Sequence, residues 1–228
     1  MNPYVLMEQA EIQGKLPKPI LRRVRARAIY VEGAVRRVEK ASGLGYPAYF
    51  VEPVLPLARS GVEFGQMGVL YARVIPTTVT GSLTILVQFT AALVAFGNKG
   101  TIEAVAAHEF THYVDLIRRL SRMNVTSDER ATTLFEAAYA DSEKTVPARL
   151  IFRDKALIRI VSRKFKDGLV DDKLNEAVRQ RWIGKNLPVR VIASDENVAR
   201  VEMSSVLSTS FDPEVLRMIA SIEEKMSN

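Results

Sequence analysis

The chain has 228 residues, of which 47% are hydrophobic and 25% charged, a balance that fits a globular core and excludes a disordered or collagen-like polymer. It contains no cysteine, which excludes a disulfide framework and favours a reducing interior, so a cytoplasmic location is expected. A net charge of +6 permits acidic partners without requiring them.

The first residues carry Glu8 and Glu11 and no cleavage-type pattern, so no signal peptide is expected. Residues 19–42 predict a helix with an apolar stripe of Leu21, Val24, Ala28, Val31 and Val35. Lys18, Arg22, Arg23, Arg25, Arg27, Arg36, Arg37 and Lys40 cover its remaining surface. A solvated face is the ordinary outcome of such a pattern. Attachment to nucleic acid is possible but not favoured, because Tyr30 is the lone aromatic available for base stacking in this segment. Three strands follow, over 48–53, 64–75 with an irregularity at Gly68, and 81–89. The most apolar run, 83–96, is about 14 residues long, short of the roughly 18–20 that cross a bilayer. It reads as a buried strand and a short helix. Residues 83–88 are the candidate edge strand, where an extended peptide would add backbone hydrogen bonds; a plain buried strand fits the same run equally.

Residues 101–123 predict the next helix, after the breaker Gly97-Asn98-Lys99-Gly100 and with Glu103 in its first turn. It carries the only two histidines of the chain, in His108-Glu109-Phe110-Thr111-His112. This is the H-E-x-x-H pattern of a zinc hydrolase. Positions i and i+4 share a helix face about 6 Å apart along the axis, so both imidazoles can point at one tetrahedral ion. Glu109 is the next residue round the helix. It can reach a water held by the metal and act as general base.

Catalytic zinc takes three protein ligands and leaves a position open. With no other His and no Cys, the third must be a carboxylate. After a short turn at 123–125, Thr126-Ser127-Asp128-Glu129 forms a capping box that starts a helix over 126–144. Two helices so joined are antiparallel neighbours. Counted outward from Asn124, His112 and Glu136 are equidistant, which puts them at one height; Glu129 and Glu143 miss by roughly 10 Å. Glu136 is therefore the expected third ligand. Asp115 shares the histidine stripe. It is expected either to orient an imidazole or to be an exposed carboxylate paired with Arg118 or Arg119.

The stretches AAHEFTHYVD and LFEAAYADSE resemble the two active-site helices of gluzincin metallopeptidases, across residues 101–144. The resemblance implies zinc held by His108, His112 and Glu136, with Glu109 as base, and a peptide or protein substrate. The second motif departs from the family pattern: Ala137 replaces the usual Gly, and the Tyr is displaced to Tyr139. Ala140 stands where many relatives carry a histidine-orienting Asp, with Asp141 one step off and Asp115 a substitute. The downstream His or Tyr that commonly stabilises the tetrahedral intermediate is missing. Tyr139, Tyr71, Arg149 and Arg153 remain open as replacements.

Helices are also predicted over 148–165, 171–183 and 213–226, and a strand over 187–193. The expected fold is α+β, with a small, mostly antiparallel sheet on the metal-binding helix and a helical lobe after it. This is a two-lobed, zincin-like arrangement. Residues 1–123 form the lobe with the basic helix, sheet and H-E-x-x-H helix. Residues 124–228 form the lobe with the third ligand. The expected activity is zinc-dependent peptide hydrolysis. Its rival is a basic binding or scaffold protein that keeps a structural or vestigial metal site.

Overall fold

The structure, a computed structural model, describes residues 2–59, 67–121, 145–166, 168–192, 205–206 and 208–227. Two helices open it, α1 (Val5–Ile12) and α2 (Lys18–Ser42). α2 has a proline in its first turn and ends on Gly43, whose φ of 78° suits glycine. Of its predicted stripe, Leu21, Val24, Val31 and Val35 are buried and Ala28 is half-buried, and Val38 extends the buried face.

Among the described residues the strands are β1 (Tyr49–Glu52), β2 (Leu55–Arg59), β3 (Met67–Val69), β4 (Ala72–Val79), β5 (Ser82–Thr90) and, far downstream, β6 (Val189–Ile192). They form two three-stranded sheets, ordered β1-β5-β4 and β3-β2-β6. In the first, β5 runs parallel to β1 and antiparallel to β4. In the second, β2 runs antiparallel to β3 and parallel to β6. The α+β class stands, but the single, mostly antiparallel sheet is replaced by two mixed ones. The reason is that β2 leaves the first sheet and takes a parallel partner from the distant β6, a pairing that needs a long crossover. Residues 83–88 lie in β5, and part of the expected edge is there. The strand pairs with β4 from Ser82 to Phe89 but with β1 only from Val87 onward, so 83–86 have a strand neighbour on one side alone among the described residues, and 87–88 on both. β4 and β5 are joined by a two-residue turn, Thr80-Gly81, with φ of 49° and 81° at the two positions.

α3 (Ala91–Phe96) follows, capped by Thr90, whose hydroxyl accepts from the Leu93 N–H. The long helix α4 (Lys99–Ser121) begins two residues earlier than its sequence suggests. Asn98 is its cap rather than part of a breaker, because its side-chain oxygen accepts from the Thr101 N–H at 2.9 Å. Glu103 thus falls beyond the first turn and is instead ion-paired with Arg37 at 2.6 Å.

After residue 144 come α5 (Ala148–Ile151), α6 (Lys155–Lys164) and α7 (Asp172–Arg181), then a 3-10 turn (Ile183–Lys185), β6 and α8 (Pro213–Ser227). The expected continuous helix 148–165 is two helices, broken where Asp154 turns its carboxylate to the Ala156 and Leu157 N–H groups and starts α6. The expected helix 126–144 lies outside the described residues.

The cations of α2 hold the fold together. Arg23 and Arg27 donate to the carbonyls of Ala95 and Val94 at 2.6 and 2.7 Å, and Arg27 also to Gly97, satisfying the C-terminal end of α3. Arg37 bridges Glu103 and Asp154, while Arg25 and Arg36 pair with Glu11 and Glu32. The basic pattern is therefore largely spent within the chain.

Candidate functional site

α4 is buried on nearly every side from Thr101 to Leu120, and small residues such as Ala104, Ala106 and Ala107 let its neighbours α2, α6 and β4 come close. Among its partly exposed residues are His108 and His112. Their Nε2 atoms stand 3.0 Å apart, with ring planes at 88°. Two imidazole lone pairs do not face each other at that separation without a proton or a cation between them. Two nitrogens on one tetrahedral zinc at about 2.0–2.1 Å are about 3.4 Å apart, so a shift of a few tenths of an ångström fits the pair to such an ion.

Phe165, at the end of α6, fixes the His108 ring by stacking on it at a centroid distance of 3.8 Å and an angle of 11°. Thr111 Oγ1 donates to the His108 carbonyl at 2.7 Å. Phe165 is itself held through its neighbour Lys164, whose ammonium donates to buried Asp171 at 2.6 Å. Asp171 also accepts from the Thr101 hydroxyl and from the Leu174 N–H, so one carboxylate ties the start of α4, the end of α6 and the start of α7. Burial alone would raise its pKa. Lys164, Thr101 and the Leu174 N–H together outweigh that, and the carboxyl sits below its ordinary value.

Glu109 is only 6% exposed. At about 100° per residue it lies on the flank of the imidazole stripe, between His112 and the side of α4 that meets Tyr46. The Tyr46 hydroxyl donates to the Ala106 carbonyl at 2.9 Å, and its ring stacks between Phe110 at 5.6 Å and Phe89 at 6.5 Å. Burial pushes the Tyr46 phenol well above its ordinary pKa, and the charges of Glu109 and Tyr49 push it the same way. Glu109 therefore stands between the imidazoles and a dry aromatic layer, where charge interactions gain strength.

A cleft of about 540 Å³ opens beside His108, with Thr111, Val146, Arg149, Phe165 and Lys166 among its lining residues. Among the described residues no three His, Cys, Asp or Glu side chains are grouped to hold a metal. Glu136, the expected third ligand, lies outside the described residues, as does Tyr139. Asp115 is 5% exposed and accepts from Arg118 and Arg119, each at 2.7 Å. Of its two expected roles, ion pairing is the one found, although the carboxylate is buried. The Tyr71 hydroxyl donates to Asn175 Oδ1 at 2.8 Å. Arg153 lies along a different cleft, between α5 and α8, whereas Arg149 borders both. Of the described candidates for stabilising charge, Arg149 is thus the one that shares a cleft with His108.

Sequence reasoning missed Phe165, Asp171, Tyr46 and Lys166. None belongs to a motif, and each reaches the site from a distant part of the chain. Comparison with family models, with curated proteins and with solved structures gave no match.

Proposed function

We propose that the chain is a zinc-dependent metallopeptidase in which His108, His112 and Glu136 hold the ion and Glu109 is the general base. One observation carries this reading: two Nε2 atoms converge to 3.0 Å beside an open cleft, on the helix that also bears Glu109. When bound, zinc supplies a Lewis acid that polarises a carbonyl and lowers the pKa of a water. His108 and His112 present their Nε2 atoms as ligands, and Phe165 keeps the His108 ring in its orientation. Glu109 takes a proton from the attacking water on its carboxylate and returns it to the leaving amine nitrogen. Tyr46, Phe89 and Phe110 keep water from the far side of that carboxylate.

The test is hydrolysis of a quenched peptide library with and without chelator, for the wild-type chain and for Glu109→Gln. Cleavage should stop on chelation and return with zinc. Glu109→Gln should keep its metal and lose about 100-fold or more in turnover, the usual share of a general base. Undiminished turnover in this variant contradicts the assignment. The burial of Glu109 among aromatic rings also suits a second reading, a scaffold whose metal site serves stability. Chelation would then lower the unfolding temperature while no peptide is cleaved.

A further inference from the structure

We propose that the cleft beside His108 receives a carboxylate of the substrate, held by Arg149 and Lys166. This rests on reading the histidine pair as a peptidase site. The argument starts from charge. Arg149 and Lys166 are the Lys and Arg side chains among the cleft's described lining residues, and no Asp or Glu is among them. Several cations packed around the site are satisfied: Arg37 by Glu103 at 2.6 Å, Arg118 and Arg119 by Asp115 at 2.7 Å, and Lys164 by Asp171 at 2.6 Å. Arg149 and Lys166 have no carboxylate partner among the described residues. Both are exposed.

The rest of the lining fits an acidic group as well. Val146, Ile158, Val161 and Phe165 make an apolar wall, against which the methylenes of a substrate can lie while its carboxylate meets the cations. Lys166 directly follows Phe165, which stacks on His108, so one of the two charges is tied to the histidine pair. The volume of about 540 Å³ is within the range of sites for small ligands. Two sources supply this chemistry: an Asp or Glu side chain, or the terminal α-carboxylate of a peptide. The guanidinium of Arg149 is suited to either, through two parallel hydrogen bonds. In this role Arg149 anchors the substrate rather than stabilising charge at the scissile carbonyl, and the two roles separate in kinetics.

The experiment uses the full chain and three internally quenched peptides. The first is C-terminally amidated and carries Glu, the second is amidated with Gln in its place, and the third has that Gln with a free C-terminus. One of the two extra carboxylates should raise kcat/KM about ten-fold over the amidated Gln peptide, and which one identifies the source. Arg149→Gln and Lys166→Gln should each lose about three-fold on the favoured peptide, mainly through KM, with the amidated Gln peptide unchanged within about two-fold. Equal kcat/KM on all three peptides overturns the proposal while leaving the peptidase reading intact. So does an Arg149→Gln variant whose kcat falls equally on every peptide, which marks a stabiliser of charge. If no peptide is hydrolysed the peptidase reading fails, and binding then decides. Rhodamine-labelled versions of the peptides, titrated with Glu109→Gln, should bind about ten-fold tighter with the favoured carboxylate. Equal binding overturns the proposal.

Discussion

Replacing Asp171 by Asn tests how the wall of the site is held. The carboxylate offers two acceptor oxygens: Oδ2 accepts from Thr101 Oγ1 and Lys164 Nζ, and Oδ1 accepts from the Leu174 N–H. Asparagine keeps the shape and the capping ability but has one acceptor and one donor group. Either orientation of the amide sets its NH₂ against at least one existing donor. Hydrogen bonds to a charged group contribute about 1.5–3 kcal/mol each. Lys164 is 17% exposed, so it can partly turn to water and recover some of the loss. The net cost should be about 2–4 kcal/mol. That corresponds to a fall of about 5–12 °C in Tm for a chain of this size. Urea denaturation at pH 7 measures it as a lower midpoint at an unchanged slope. The pH dependence gives an independent check. The folded carboxyl has a lowered pKa, so its stabilisation is full above the unfolded value of about 3.9 and is lost as pH falls through the folded value. The gap between wild type and Asp171→Asn should therefore close on acidification below about pH 4. A gap under about 0.5 kcal/mol at pH 7, or one that stays constant on acidification, refutes the reasoning.

Phe165→Ala removes the ring stacked on His108 and should cost about 1–3 kcal/mol, since Phe165 is only partly buried. In proton NMR it should move the imidazole resonances of His108 more than those of His112, and with two histidines in the chain the comparison is direct. Thr80→Asn should stabilise by about 0.5–1 kcal/mol, because Thr80 is β-branched at a φ of 49° and Asn-Gly suits a turn with two positive φ values. A lower melting temperature would contradict this. Arg37→Ala strips Glu103, 6% exposed, of its 2.6 Å partner and leaves Lys99 at 3.9 Å, so about 2–4 kcal/mol should be lost in urea denaturation.

The motif helix was legible because its information is local. Apolar residues recur at helical spacing along α4, and four residues of separation bring His108 and His112 together without help from the rest of the fold. Its start was misread because Asn98 stands beside Gly97 and Gly100, which hid a cap inside what looked like a breaker. In the same way, the apolar period that runs through 148–165 hid the Asp154 cap. β2 was invisible because Pro56 argues against a central strand. It is tolerated because the antiparallel pairing begins one residue later, at Leu57 and Val69, so the missing N–H falls outside that ladder. The basic stripe of α2 could be read as a helix face, but not where its charges go. Arg23 and Arg27 reach carbonyls at 94–97, and Arg37 reaches Asp154, partners that only tertiary packing supplies. The same holds for Phe165 on His108 and for Asp171 behind it.

Zinc stoichiometry tests the central claim most directly. Purified wild-type chain should carry one zinc per molecule by native mass spectrometry. Glu109→Gln should carry the same, and His112→Gln and Glu136→Ala should retain little or none while still folding by circular dichroism. A folded wild-type chain that takes up no zinc, or a His112→Gln variant that binds it as well as wild type, contradicts the account.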